Sequence, residues 1–194
     1  MIPGTVEKYL IKYGLPNWNI DLQVNNKFTA AVVIPAICEY ANIRRLLNSL
    51  SDSDKEYFSS TLFIFVVNNP VSSPLEVKED NLKSISFLRS IIKKENLTGN
   101  EIVSKIISSG INLGLVNASS SGNELPGKDA GAGLARKIGM DLALTVFDYS
   151  SAEKKIIISL DADCIVEKNY LSEIVNSFNR RNLNAAVINY AHEI

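Results

Sequence analysis

Two aspartates one residue apart follow directly on an apolar segment late in the chain. The segment KIIISL (155–160) predicts a strand, and Asp161 and Asp163 come immediately after it. Two carboxylates at this spacing can converge on one hard cation. Mg²⁺ and Mn²⁺ prefer oxygen ligands and often share them with a substrate diphosphate. The pattern therefore favours a divalent-metal site over the alternative of one helix-capping and one solvated aspartate.

A second candidate segment reads IPAICEYANIRRLL (34–47), in which an apolar strand gives way to an amphipathic helix. Glu39 lies between the two. Its carboxylate would either accept hydrogen bonds from a ligand base or ribose, or favour the positive end of the helix dipole. Arg44 and Arg45 are typical of a solvated helix face.

The third candidate segment, KDAGAGLARKIGMDLAL (128–144), combines a glycine-rich stretch with a helical pattern. Glycines at a helix entry allow the backbone to approach a phosphate closely. Arg136 and Lys137 lie one turn inside and would either meet an anionic ligand or form surface charge. The segment is not GxGxxG and no strand is predicted immediately before it, so a dinucleotide site has little support. We expect a mobile loop over 119–133 that enters the helix at about Gly133.

The elements that must position these residues alternate between strands and helices. Uniformly apolar strands are predicted at 30–34, 62–67, 155–160 and 185–191, which indicates a sheet covered on both faces. Helical stripes lie between or beside them, centred on Ile43–Leu50, Leu82–Ile92, Leu134–Val146 and Leu171–Phe178. This alternation predicts an α/β fold with a mainly parallel sheet and right-handed crossovers. Ligands in such sheets bind at the carboxyl ends of the strands.

Composition limits the class of protein. The 194 residues predict a single domain over 1–194, in which 1–28 form a short helix (Val6 to Tyr13) and a tether. With 46% hydrophobic residues the chain is not of the disordered class. Its 20 basic and 21 acidic residues give no field that attracts nucleic acid. No membrane or secretory segment is apparent, and two distant cysteines, Cys38 and Cys164, favour a cytoplasmic chain with reduced thiols.

The order of the motifs resembles glycosyltransferase family 2, whose nucleotide-diphospho-sugar transferase fold is called GT-A. The family's VVIPAYNE is VVIPAICE here, its VVDDGS or VVDNGS is VVNNPVS, its G-x-A-x-A-R-N-x-G is GAGLARKIG, and its metal motif is ISLDADC. The resemblance covers about 30–171. It implies a three-layer α/β/α sandwich that transfers a sugar from a nucleotide-diphosphate donor to a glycan, lipid or protein acceptor. Mn²⁺ or Mg²⁺ would be the cofactor.

The resemblance also implies roles for single residues. Pro35, Ala36 and Glu39 would line the pocket of the base and ribose. Arg136 would lie near the base or diphosphate. Asp161 would face the ribose and the metal, and Asp163 would coordinate the metal.

The chain departs from the family pattern at several positions. Asn68 replaces the aspartate that recognises the base, which predicts a base other than uracil, while Cys38 and Lys137 replace asparagines. The long spacing after Pro70 predicts an inserted helix over 78–95.

The largest departure from the family pattern lies at the C-terminal end of the chain. Only 31 residues follow Asp163, where the family places its catalytic base, so we expect a chain truncated at its C-terminal end. His192 and Glu193 are the candidate catalytic residues there, or else an ordinary strand end.

Three other functions stay open. The first is a nucleotide-sugar-binding module without turnover. The second is a phosphatase of the haloacid dehalogenase type, which also carries DxD after an apolar strand. The third, ranked last, is a dinucleotide-dependent oxidoreductase. A separate hypothesis holds that Cys38 and Cys164 lie close enough to bind a soft metal or to oxidise, if their strands are neighbours.

Overall fold

A mainly parallel sheet forms the centre of the molecule. The computed structural model describes residues 1–22, 27–95, 100–189 and 191. Within them the strands are β1 (Asp21–Leu22), β2 (Ala30–Ala36), β3 (Thr61–Asn68), β4 (Asn112–Ala118) and β5 (Ile156–Ser159). The helices are α1 (Gly4–Tyr13), α2 (Tyr40–Ser51), α3 (Leu75–Ile92), α4 (Glu101–Ser109), α5 (Ala132–Val146) and α6 (Tyr170–Arg180), with a 3₁₀ turn at Phe58–Ser60.

The strand order is β1-β4-β3-β2-β5, and only β1 runs antiparallel to its neighbour. The chain steps from β2 to β3 to β4 in one direction and then returns to the far side of β2 to form β5. Val33 lies opposite Ser159, and the Leu160 amide donates to the Val33 carbonyl at 3.1 Å. The direction of the connections thus reverses between β2 and β5, which is the switch point of the sheet.

Helices cover both faces of the sheet, because both faces of its central strands are apolar. Every residue of β2 and of β3 is buried. Val32 and Ile34 pack into the core shared with α2, α3, α4 and α6, whereas Ala31 and Val33 face α5. The predicted α/β class, the mainly parallel sheet and its coverage on both faces are confirmed.

The helix α5 approaches the sheet closely at Gly139. A Cβ atom there would lie 2.4 Å from Val33 Cγ1 and 3.0 Å from Val66 Cγ2. Only glycine fits this contact without displacing the two valines, because both side chains are branched at Cβ and stiff. The contact fixes the distance of α5 from β2 and β3.

Several elements differ from the sequence predictions. The strand predicted at 185–191 is wrong for residues 185–189, which form no strand and are exposed, Val187 by 96%. Strand propensity does not suffice without a neighbouring strand to pair with. The short β1, the helix α4 and the strand β4 were not predicted. The strand β4 ends at Ala118 and residues 119–127 form no strand, so the prediction that no strand immediately precedes the segment 128–144 is confirmed.

The remaining helices agree with the periodic patterns, except that Leu82, the first residue of the predicted stripe in α3, is 53% exposed. The N-terminal helix is confirmed as α1, and the inserted helix as α3, which begins earlier than predicted. None of the helices in the described ranges is both long and apolar enough to cross a membrane.

Candidate functional site

The candidate site lies at the carboxyl ends of β2 and β5. After β5 the chain alternates between inward and outward side chains. Ala162 is buried, while Asp161 and Asp163 on either side of it are exposed. Burial of Ala162 therefore presents both carboxylates to solvent. The expectation that the VVIPAICE strand and the LDADC strand are neighbours is confirmed by the pairing of β2 with β5.

The structure brings Arg136 and Asp161 together. Arg136 lies near the N-terminal end of α5, and its Nη2 donates to Asp161 Oδ1 in an ion pair. The two side chains are 34% and 56% exposed. The Arg136 Nε is buried and has no hydrogen-bond partner within the described part of the chain. The cation thus borders the aspartate pair with part of its surface accessible to a ligand.

The side chain of Lys137 makes contacts within the protein that stabilise the fold. Its Nζ lies 2.5 Å from Asp141 Oδ2 and 2.7 Å from the carbonyl oxygen of Tyr13. Asp141 is buried, and its Oδ1 accepts a hydrogen bond of 3.0 Å from the Tyr9 hydroxyl, which raises the pKa of Tyr9. The ammonium of Lys137 therefore holds α1 on α5 and neutralises a buried carboxylate, in contrast to the anion-binding role considered for it.

Glu39 lies in the turn between β2 and α2. Its Oε2 accepts a hydrogen bond of 2.6 Å from Asn42 Nδ2, and its carbonyl accepts one of 2.8 Å from the Ile43 amide. Glu39 is half-buried and contributes to the first turn of α2. Its second carboxylate oxygen makes no hydrogen bond with the described residues.

Asn68 is buried at the end of β3. Its Nδ2 donates to the carbonyls of Ala36 at 3.0 Å and Val66 at 3.1 Å, and its buried Oδ1 has no hydrogen-bond partner among the described residues. Pro35 and Ala36 belong to β2 and are also buried. Asn68, Pro35 and Ala36, which the sequence assigned to base recognition, are thus all buried at the carboxyl ends of β3 and β2.

A buried polar network beside these strand ends was missed by the sequence analysis. It contains Asn69, Asn81 and Ser119, which connect the ends of β3 and β4 to α3. One feature of the sequence could have indicated this network. Asn81 lies four and seven residues before Ile85 and Leu88, on the buried face of a helical stripe. A polar residue at such a position must find partners inside the fold.

The two cysteines are free thiols. Cys38 is exposed and Cys164 is partly buried, and partial desolvation raises the pKa of both thiols. The charges of Asp80, Glu39 and Glu76 raise the pKa of Cys38 further. The charges of Asp163 and Asp161 raise that of Cys164. The electrostatic neighbours of the two cysteines differ, and nothing in the described part of the chain joins the two thiols.

The described ranges contain no site at which protein side chains alone would hold a metal ion. They contain no group of three or more His, Cys, Asp or Glu side chains placed to hold an ion. The candidate catalytic residues His192 and Glu193 lie outside the described residues.

Two cavities within the described residues lie away from the candidate site. An apolar cavity of about 90 Å³ lies at the opposite ends of the strands, near Phe28 and Leu62. A polar depression of about 360 Å³ lies beside β1, lined by Trp18 and Arg89 among others. Neither of these two cavities is lined by a residue of the candidate site. No protein-family model matches the chain, and no curated protein matches it significantly.

Proposed function

We propose that this chain binds a nucleotide-diphosphate sugar and belongs to a glycosyltransferase with the GT-A fold, similar to family 2. The observation that carries the proposal is the pairing of β2 with β5 at the switch point. Because β2 and β5 are parallel neighbours, the strand ends that precede Glu39 and Asp161 share one edge of the sheet, and Arg136 contacts Asp161 there. Parallel sheets bind their ligands at this kind of crevice.

Arg136 is the proposed contact for the diphosphate. A guanidinium stays charged at any physiological pH and its planar fork matches phosphate oxygens. Its ion pair with Asp161 is exposed in part, so a diphosphate can share the cation without burying an unpaired carboxylate. The glycine-rich entry of α5 brings backbone close to the same place.

Asp163, with Asp161, is the proposed holder of Mg²⁺ or Mn²⁺. The carboxylate of Asp163 is exposed and makes no hydrogen bond or ion pair with the described residues, so it is available to a cation. One or two carboxylates suffice when substrate phosphates supply the other oxygens, which suits a site without three protein ligands. When bound, a divalent cation offsets the charge that develops on the departing nucleoside diphosphate.

Asn68 and Glu39 are the proposed determinants of the base and ribose. An amide offers both a donor and an acceptor, whereas the aspartate of the family pattern only accepts. The Nδ2 of Asn68 is engaged by two carbonyls, which leaves Oδ1 as its free hydrogen-bonding atom. This atom is buried and is an acceptor, as a carboxylate oxygen is, so the expectation of a base other than uracil stays a prediction that the nucleotide panel tests.

A binding module without turnover is the second candidate. The observation that favours it is the contact of Lys137 with Asp141, since a position of the family's site motif serves a structural purpose here. Donor binding without sugar transfer would support this candidate.

The test is a thermal-shift panel with UDP, GDP, dTDP, CDP and NAD, each with Mn²⁺ and with EDTA. A ligand at ~100 times its Kd stabilises the folded state by about 2.7 kcal/mol. For a chain of this size each kcal/mol raises the Tm by roughly 2–4 °C. We expect one nucleoside diphosphate to raise the Tm only with Mn²⁺. The absence of any shift with all four diphosphates would contradict the proposal, and hydrolysis of an aryl phosphate would instead favour a phosphatase.

A further inference from the structure

The turn from β2 into α2 has an unusual backbone conformation. Cys38 has φ of 58°, in the left-handed region, although it is not glycine. Such a residue persists only where its surroundings determine its conformation. The next residue is Glu39, so whatever holds Cys38 also sets the direction in which Glu39 leaves the sheet.

Two successive side chains of α3 hold this turn. Asn81 Oδ1 accepts a hydrogen bond of 2.9 Å from the Cys38 amide. Asp80 Oδ1 accepts one of 3.0 Å from the Tyr40 amide. The two backbone amides that flank Glu39 are therefore both satisfied by a helix that is neither β2 nor α2. A contact of this kind fixes the turn from outside.

Asn81 is itself held rigidly. It is 0% exposed, and its Nδ2 lies 3.0 Å from the Asn68 carbonyl, 2.8 Å from Asn69 Oδ1 and 3.1 Å from Ser119 Oγ. These partners belong to the ends of β3 and β4. With every polar atom of its amide engaged, Asn81 has one orientation, and that orientation presents Oδ1 to the Cys38 amide.

We infer that Asn81 is a positioning residue, which with Asp80 fixes the Cys38–Glu39 turn and thereby the base and ribose end of the candidate site. The inference rests on the proposed function only where it concerns ligand binding. The helix α3 lies in the long connection that departs from the family spacing. The residues that hold the Cys38–Glu39 turn therefore come from this connection and not from the motifs that resemble the family.

The thiol of Cys38 reports on the turn without any ligand. Cys38 is exposed, and partial desolvation together with the carboxylates of Asp80, Glu39 and Glu76 raises the pKa of its thiol. A turn released from Asn81 would move the thiol away from this setting. Its pKa would fall, and its alkylation at neutral pH would become faster because the thiolate is the reactive form.

The experiment compares Asn81→Ala with Asn112→Ala as a matched control. Asn112 also donates through Nδ2 to backbone carbonyls, of Phe58 at 2.6 Å and of Thr61 at 3.3 Å, but at the opposite end of the sheet. Alkylation of Cys38 and Cys164 by iodoacetamide is followed from pH 6 to pH 10 by peptide mass spectrometry. The affinity for the nucleoside diphosphate found above is measured in parallel with Mn²⁺.

We expect Asn81→Ala to alkylate Cys38 at least threefold faster at pH 7, with a lower apparent pKa, and to weaken nucleotide binding at least fivefold. Cys164 should keep its profile, and Asn112→Ala should change neither readout. An unchanged Cys38 profile in Asn81→Ala, or an equal change in both variants, would overturn the inference. If the wild-type chain binds no nucleotide while the Cys38 profile changes, the proposed function fails and the positioning role stands.

A second measurement uses the wild-type chain, should Asn81→Ala not fold. Hydrogen exchange of the Cys38 and Tyr40 amides is compared with that of Gly127 in the exposed part of the glycine-rich loop. We expect the two turn amides to exchange at least tenfold more slowly. Exchange as fast as at Gly127 would show that α3 does not hold the turn.

Discussion

Arg136 forms an ion pair with Asp161, and this contact joins the glycine-rich helix entry to the pair of aspartates after β5. The residues are 25 positions apart in the chain. Their contact requires α5 to start at the same edge of the sheet at which β5 ends. The pairing of β5 with β2 brings the end of the strand that precedes Glu39 to the same edge of the sheet.

Arg136→Gln should separate ligand binding from stability. An ion pair exposed to this degree contributes less than about 1 kcal/mol to folding, because water screens the charges. We expect a fall in Tm of no more than a few degrees and a loss of nucleoside diphosphate affinity of at least tenfold, measured by calorimetric titration. Arg89→Gln is the matched control, since it breaks an ion pair of similar exposure with Asp21 beside β1. Equal binding losses in the two variants would refute a specific role for Arg136.

Asp163→Ala should abolish metal-dependent nucleotide binding with little effect on the fold. An exposed carboxylate without a partner among the described residues contributes within about 0.5 kcal/mol to stability. The measurement is the Tm with and without Mn²⁺ and nucleotide. Glu79→Ala, which removes another exposed carboxylate without a hydrogen bond or ion pair among the described residues, is the control and should behave as wild type. Unchanged Mn²⁺-dependent affinity in Asp163→Ala would remove the metal assignment.

Gly139→Ala should destabilise the fold. The added Cβ would meet Val33 Cγ1 at 2.4 Å, and we expect a loss toward the upper end of about 1–3 kcal/mol, as in other overpacked cores. This outweighs the gain of about 1 kcal/mol that alanine brings to a helix. Gly133→Ala is the control, since nothing lies within 4 Å of its added Cβ. Chemical denaturation of both variants measures the difference, and a Gly139→Ala protein as stable as wild type would contradict the close packing of α5.

Tyr9 should make stability depend on pH in the alkaline range. Its hydrogen bond to Asp141 favours the protonated phenol, so the folded pKa of Tyr9 lies above its unfolded value. The stabilisation is therefore complete below the unfolded pKa of about 10 and is lost as the pH rises through the folded pKa.

The absorbance at 295 nm, which reports ionised tyrosine, is recorded against pH for wild type and for Tyr9→Phe. The difference between the two curves is the titration of Tyr9. In an Asp141→Asn background the same difference should appear at lower pH, because the carboxylate is gone. An identical titration of Tyr9 in both backgrounds would refute the contact. Tyr13→Phe serves as the control, since Tyr13 meets Lys137 through its backbone carbonyl.

The amino-acid sequence determined the elements that carry strong periodic signals. The strands β2, β3 and β5 are short apolar runs, and α2, α3, α5 and α6 carry amphipathic stripes, so local burial preference alone predicts them. It also placed the two aspartates directly after a strand. These features depend on residue types at fixed spacing, which is information that the chain holds locally.

Tertiary contacts decided the rest. The strand β4 contains Gly114 and two asparagines and exists as a strand because it pairs with β3 and β1. The apolar run at 185–189 has no such partner and stays irregular. The ion pair of Arg136, the structural use of Lys137 and the hold of Asn81 on the Cys38 amide join residues far apart in the chain. Spacing cannot encode such contacts, because they depend on which strands become neighbours and how closely the helices pack on them.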